Sequence, residues 1–256
     1  MSCRAIPKAE PTAAAHTFHV AMEGVRTKTA IGVGNYSLRD AAMLLHMPYG
    51  KLRRWAAGYW YSAAEEERFS EPVVPGELDE LDERVLSFYE LMELFVIGFF
   101  RREGVSMPVV RAARAAAQAL FGVEYPFAME RLNTDGRGIF GDVLVDELPE
   151  KRLKLELSKS QIAFTECVEP FFRTNVDYQN GLASTYWPLG RDKPVLLDAR
   201  RSFGRPIVVR TGTPTFALYA MHKGGEEHDR ITAWYDVTHE ELDTAIEYED
   251  GLRVAA

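Results

Sequence analysis

From Tyr36 to Trp55 the chain reads YSLRDAAMLLHMPYGKLRRW, and its apolar positions fall into two helical registers separated by a break. Leu38, Ala41, Ala42 and Leu45 lie at i, i+3, i+4 and i+7, one face of an α-helix. Ser37 stands as its N-cap and Asp40 as the acidic third residue of a capping box. His46-Met47-Pro48 interrupts the period, and Leu52, Trp55, Ala56 and Tyr59 begin a second apolar stripe. At about 100° per residue, Gly50, Lys51, Arg53, Arg54 and Ala57 fall outside that stripe. A short helix reached through a tight turn, with cations on its open side, suits a recognition helix whose Lys and Arg reach phosphates and guanine edges. A solvated surface helix would carry the same cations; the paired-helix spacing favours DNA.

Further on, Val85 to Phe100 is apolar at twelve of sixteen positions. It is too short to span a bilayer and is broken by Glu90 and Glu93, so it is expected to be a buried helix or part of a subunit interface. Beyond Phe121 the character changes. Phe127 to Leu132 and Ile139 to Leu144 flank Asn133-Thr134-Asp135-Gly136-Arg137-Gly138, which reads as a β-hairpin with a Gly-rich loop lacking the spacing of a phosphate-binding loop. Leu153 to Leu157 and Gln161 to Val168 read as further strands, followed by the Phe171-Phe172 pair, and together they predict a small antiparallel sheet with one wet face.

The C-terminal quarter predicts an extended segment over Val195 to Val209 and then three helices. Thr213 is expected to cap the first, with Pro214 at its first position and Gly224-Gly225 at its end. The second runs from about Glu226 to Tyr235. Thr238-His239-Glu240-Glu241 is a capping box opening the third, where Leu242, Ala245 and Ile246 keep helical spacing.

Composition narrows the function classes. At 256 residues the chain suits two domains and can bury its own core. Its net charge of -8 argues against indiscriminate coating of nucleic acid. The charge is uneven, however: residues 1 to 60 hold eight Lys or Arg against three acids, and residues 61 to 100 hold two against eleven. A basic end followed by an acidic belt allows one face to meet DNA and another to meet a protein. Cys3 and Cys167 lie far apart with no ligand-spaced neighbour, which suggests neither disulfide nor metal and fits a cytoplasmic setting; no N-terminal signal pattern is legible. The six histidines form no legible catalytic arrangement. His222 and His228 bracket Glu226 and Glu227, but Gly224-Gly225 breaks the register between them, so a polar helix connection is preferred to a metal site.

Tyr36 to Phe121 resembles the MerR-type winged helix-turn-helix family. There the second helix runs into a β-hairpin wing and then a helical pair; here Gly58 to Pro75 holds the wing's place, ahead of LSFYELMELFVIGFF and REGVSMPVVRAARAAAQ. The most specific pieces are Ser37-Leu38-Arg39-Asp40-Ala41-Ala42 and Glu103-Gly104-Val105-Ser106, where Gly104 ends one helix and Ser106 caps the next. The resemblance implies DNA contacts from Ser37, Arg39, Tyr49, Lys51, Arg53, Arg54 and Arg68. One departure stands out: Glu65, Glu66 and Glu67 occupy the wing where Arg or Lys would meet phosphate, leaving only Arg68.

Pro194 to Asp250 is similar to the small three-helix domain of formerly unknown function found in VapB-type antitoxins, with Gly204-Arg205-Pro206 in the strand and a turn before the helices. The turn departs in lacking the basic residue usual after the threonine of Gly212-Thr213-Pro214-Thr215. Together the two resemblances imply an antitoxin that blocks the acidic metal-binding site of a PIN-like ribonuclease toxin and represses its own operon. Arg200, Arg201, Arg205 and Arg210 are the cations placed to meet such a carboxylate-rich cleft as a group. A stand-alone regulator with a sensing C-terminal half is the alternative.

The expected protein is mainly α with a small antiparallel β region. It has a flexible N-terminal arm (1–28), a MerR-like winged helix-turn-helix domain (29–125), a β-rich middle (126–192) and a C-terminal three-helix, helix-turn-helix-like domain (193–256). Its expected partners are operator DNA, a PIN-like toxin and a second copy of itself, since helix-turn-helix proteins read paired half-sites and Val85 to Phe100 carries surplus apolar surface. No cofactor, metal site, catalytic residue or membrane contact is expected.

Overall fold

The computed structural model describes residues 34–63, 66–74, 85–147 and 159–254. The N-terminal arm, Cys3, Glu65 and the strand expected at Leu153 to Leu157 lie outside them. The described chain is mainly helical with three small antiparallel sheets.

Strand β1 (Tyr36–Ser37) leads into α1 (Leu38–Leu44), a turn, and α2 (Tyr49–Ala57). Ser37 caps α1 by accepting from the Asp40 amide at 3.1 Å, and its hydroxyl donates back to the Asp40 carboxylate at 2.8 Å. A hairpin follows, β2 (Tyr59–Ala63) against β3 (Glu66–Ser70), and then β4 (Val85–Leu86), which pairs with β1. The apolar run becomes α3 (Phe88–Arg102), opened by a complete capping box between Ser87 and Glu90. Gly104 turns the chain into α4 (Met107–Phe121), where Ser106 takes the N-cap position.

The region beyond Phe121 is not a hairpin. After a 3-10 turn at Pro126–Ala128, residues Leu132–Glu147 form one helix, α5, straight through the Gly-rich segment. Gln161 to Val168 is helical as well: a π turn at Ala163–Val168 runs into α6 (Glu169–Asn175). Aromatic packing accounts for both corrections. Phe140 stacks on Phe100 of α3 at 4.1 Å between centroids and meets Phe164 at 5.4 Å, so both segments deliver rings to one core. On the other side of α3, Phe95 lies 5.1 Å from Phe171 and 4.9 Å from Tyr186.

The sheet lies later than expected. It is a four-stranded meander of β5 (Val176–Gln179), β6 (Leu182–Tyr186), β7 (Val195–Asp198) and β8 (Pro206–Val208), so it straddles the boundary placed between middle and C-terminal domains. Helices α7 (Thr215–Lys223), α8 (His228–Tyr235) and α9 (His239–Val254) complete the chain. Pro214 rather than Thr213 holds the N-cap position of α7, one residue later than the sequence suggests. The Thr238–Glu241 capping box at α9 forms reciprocally, at 3.1 and 2.7 Å.

A large core joins α1, α2, α3, α4, α5 and the meander, and takes in Tyr248 and Leu252 of α9. A smaller one, around Val208, Leu218, Ile231, Leu242 and Ala245, holds the last three helices together. Ten of the fifteen residues of α3 are buried by the chain itself. Its surplus of apolar side chains is therefore spent on intramolecular contacts with α5 and α6, so of the two sequence arguments for a second copy only the paired half-sites remain. No helix among the described residues is long and apolar enough to cross a membrane.

Candidate nucleic-acid interface

Helix α2 sorts its residues by face as the period requires. Leu52 and Ala56 are fully buried and Trp55 nearly so, whereas Tyr49, Gly50, Lys51, Arg53, Arg54 and Ala57 are exposed. The exception is Tyr59, which the stripe included. The helix stops at Ala57, and Tyr59, 40% exposed, opens β2.

Aromatic rings hold the cations of this face. Arg39 of α1 lies over the Tyr49 ring at 5.2 Å, Lys51 over Trp55 at 4.9 Å and Arg54 over Tyr59 at 5.7 Å. Such contacts contribute roughly 0.5–1 kcal/mol each at exposed sites and leave the charge facing water. Among the described residues none of Arg39, Lys51, Arg53 and Arg54 forms an ion pair, so their charge remains available to an external anion. Ser37 is different. Its hydroxyl is occupied by the α1 cap, and its part in this surface is to start the helix.

The hairpin extends the surface. Its register pairs Tyr59 with Ser70, Trp60 with Phe69 and Tyr61 with Arg68. Directly opposed residues share a face of an antiparallel pair, so Tyr59, Tyr61 and Arg68 form one face and Trp60 with Phe69 the other. The first continues from Arg54, since Tyr59 and Tyr61 are in ring contact at 5.9 Å. Arg68 bridges Glu66 at 3.2 Å on the same strand, both side chains well exposed. An exposed pair of this kind is worth about 0–1 kcal/mol, so it leaves Arg68 able to exchange partners. The back face is an exposed aromatic pair, Trp60 and Phe69, 5.2 Å apart. Sequence reading missed the aromatic content of this wing, although Tyr59-Trp60-Tyr61 in a solvated hairpin is the signal.

The hairpin's return is anchored. Val73 donates its amide to the Trp55 carbonyl at 2.8 Å, and Arg111 of α4 donates to the Pro72 carbonyl at 2.9 Å and to the Glu71 carbonyl. Burial lowers the pKa of that guanidinium.

The four arginines expected to act as a group are held by separate partners. Arg200 donates to Gln179 at 2.6 Å and lies 3.5 Å from Asp198. Arg201 sits against Gly212, and Arg205 lies over the Phe216 ring at 5.2 Å. Arg210 is engaged most deeply, bridging Glu241 of α9 at 3.0 Å and Asp236 at 3.1 Å. His222 and His228 do meet: their ring nitrogens are 3.0 Å apart, with Asp243 3.7 Å beyond on the His228 side. Among the described residues no group of three or more His, Cys, Asp or Glu side chains is arranged to hold a metal ion.

Against known proteins, residues 196–248 match a family model described as a protein of unknown function, DUF433. The chain is 27% identical over 227 residues to a Mycobacterium tuberculosis protein named "Putative antitoxin VapB45", covering 83% of this chain and 92% of that one. It shares a fold, with a TM-score of 0.64 and 23% identity, with the crystal structure of Rv2018 from Mycobacterium tuberculosis, over 82% of this chain and 96% of the other. Each of these two likenesses covers more than four fifths of this chain, well beyond the 53 residues of the DUF433 segment.

Proposed function

We propose that this chain is the antitoxin of a type II toxin-antitoxin system, with a MerR-like winged helix-turn-helix that binds operator DNA to repress its own transcription. Its protein partner on this reading is a PIN-like ribonuclease toxin of the VapC type, neutralised through the C-terminal unit. The observation that carries the DNA half is the face of α2, where Lys51, Arg53 and Arg54 are exposed and form no ion pair among the described residues, while Leu52, Trp55 and Ala56 are buried on the opposite side. The antitoxin half rests on likeness to the relative of that name. Toxin contact is assigned to Arg200, Arg201, Arg205 and Arg210, and homodimer formation to the need for paired half-sites.

Replacing Arg53 and Arg54 together with Ala tests the first half. Operator affinity, measured by fluorescence anisotropy on the upstream region of the gene, is expected to fall to the non-specific level while the circular dichroism spectrum is unchanged; retained affinity refutes the assignment. Co-expression with the adjacent reading frame tests the second half: a stoichiometric complex whose ribonuclease activity is silent supports it, and free, active nuclease refutes it.

A further inference from the structure

A cavity of about 390 Å³ lies where three parts of the chain meet. Leu44 and His46 come from the helix-turn-helix corner, Tyr186, Leu189 and Lys193 from the end of β6 and the loop after it, and Glu247, Tyr248, Gly251 and Leu252 from α9. Its volume falls within the range of small-molecule sites. Its walls are largely the rings of Tyr186 and Tyr248 and the aliphatic side chains of Leu44, Leu189 and Leu252.

Three polar features are not used by the fold. The Tyr248 hydroxyl, closed off from solvent beside the cavity, has no hydrogen-bond partner among the described residues, in a residue only 7% exposed. Buried hydroxyls are ordinarily satisfied, and each orphan costs about 1–3 kcal/mol. Lys193 and Glu247 are exposed at the cavity, and among the described residues neither forms an ion pair, with the other or with a third group. One cation and one anion therefore border a chamber whose walls are largely apolar.

We propose that this cavity binds a small zwitterion with an apolar body, the class of hydrophobic amino acids and their dipeptides. The carboxylate lies toward Lys193, the ammonium toward Glu247, and the apolar body against the two tyrosine rings. A plain carboxylic acid would leave Glu247 opposed to its charge, and a plain amine would leave Lys193 opposed, so the pair selects for both groups on one ligand. Because the lining joins the operator-reading corner to α9, an occupant stabilises their present arrangement and, on the DNA-binding reading above, changes operator affinity.

Isothermal titration of the full chain with L-leucine, L-phenylalanine and L-leucyl-L-leucine, and with 4-methylpentanoate and isoamylamine as single-charge controls, tests the site. Saturable binding of at least one zwitterion, at least tenfold tighter than either control, is expected. Lys193→Ala and Glu247→Ala each should weaken it about tenfold or more. Gly251→Leu should abolish it, because Gly251 lines the cavity and a Cβ there meets nothing within 4 Å, so an added side chain has room to compete with the ligand. Thermal unfolding of the three variants at the wild-type temperature shows that the loss is not a loss of fold. No binding of any zwitterion at millimolar concentration, equal binding of the controls, or binding unchanged in Gly251→Leu overturns the proposal. The heats are read without DNA, so their outcome stands apart from that of the operator assay.

Discussion

The Tyr36 hydroxyl donates to the Gly204 carbonyl at 2.7 Å across 168 residues of chain, fixing the first strand of the helix-turn-helix to the loop between β7 and β8. The neighbouring Asn35 amide donates to the Phe203 carbonyl at 2.8 Å, so the two segments are laced together by two bonds. Gly204 adopts φ +79°, and a Cβ there would stand 2.3 Å from the Tyr36 oxygen. Burial raises the pKa of that phenol far above its ordinary value, so it stays a donor at any accessible pH.

Gly204→Ala therefore meets both a steric clash and a left-handed backbone. It is expected to destabilise the protein by roughly 2–4 kcal/mol, combining overpacking with left-handed strain. Tyr36→Phe keeps the ring and loses only the bond, at about 1–2 kcal/mol. Urea unfolding followed by tryptophan fluorescence measures both, and equal stability of Gly204→Ala and wild type refutes the junction.

The cation face of α2 leads to a salt-dependence prediction. Each phosphate contact removed lowers the slope of log affinity against log salt by about 0.9. Lys51→Ala is expected to lower the slope by about one phosphate's worth and weaken binding to all sequences alike. Arg68→Ala should change it less, because Arg68 already pairs with Glu66. Anisotropy titrations between 50 and 200 mM salt, on the order of the range over which such slopes are read, separate the two; a larger effect for Arg68 would make the wing, not α2, the principal phosphate contact.

How far the sequence foretold this depends on what fixed each element. The helix-turn-helix, the wing hairpin, α3, α4 and the three C-terminal helices were legible because local period, caps and breaks agree with the tertiary result. The segment 132–147 was not. Asn133-Thr134-Asp135-Gly136-Arg137-Gly138 is dense in turn formers, yet long-range packing overrides that preference. Gly136 shows why: a Cβ there would come within 2.4 Å of the Phe164 ring, so this glycine makes room for an aromatic neighbour rather than for a bend. Phe171 and Phe172 read equally well as strand or helix until their partners on α3 and β6 are known. Of the candidate site, the exposure of Lys51, Arg53 and Arg54 followed from the period, but their aromatic supports did not, because Tyr59 belongs to a strand that faces back onto the helix.

Glu93 and Arg114 form a buried ion pair at 2.5 Å, and the other carboxylate oxygen accepts from the Phe127 amide at 3.0 Å. Burial outweighs these favourable contacts and pushes the Glu93 carboxyl up from its ordinary 4.5 to about 7. A folded-state pKa above the unfolded value means that this group's contribution is full below about 4.5 and is lost as pH rises through about 7. Glu93→Gln should keep the bond to Phe127 while removing that decline, so the variant's stability should vary less with pH between 4.5 and 7 than that of the wild type. Arg114→Ala, which strands the acid, should cost about 3–5 kcal/mol at neutral pH. Urea midpoints across this range measure both, and an unchanged pH slope in Glu93→Gln would place the titration elsewhere.

Arg210 and Arg200 separate toxin contact from folding. Arg210 closes the corner between α8 and α9, and its hydrogen bonds, with those from Thr238, hold the Glu241 carboxyl below the usual carboxylate range. A depressed pKa contributes stability that is present above the ordinary carboxylate value and lost as pH falls. Arg210→Ala should therefore lower the unfolding temperature at neutral pH and shrink that difference on acidification. Arg200 is more exposed, and among the described residues its side chain meets only Gln179 and Asp198, so Arg200→Ala should leave the unfolding temperature nearly unchanged. If the arginine group contacts a toxin, Arg200→Ala weakens toxin affinity at unaltered stability, whereas any loss with Arg210→Ala tracks the weakened corner. Calorimetric unfolding beside toxin titration distinguishes the two; toxin affinity untouched by Arg200→Ala, Arg201→Ala and Arg205→Ala combined would move the contact away from this strand and turn.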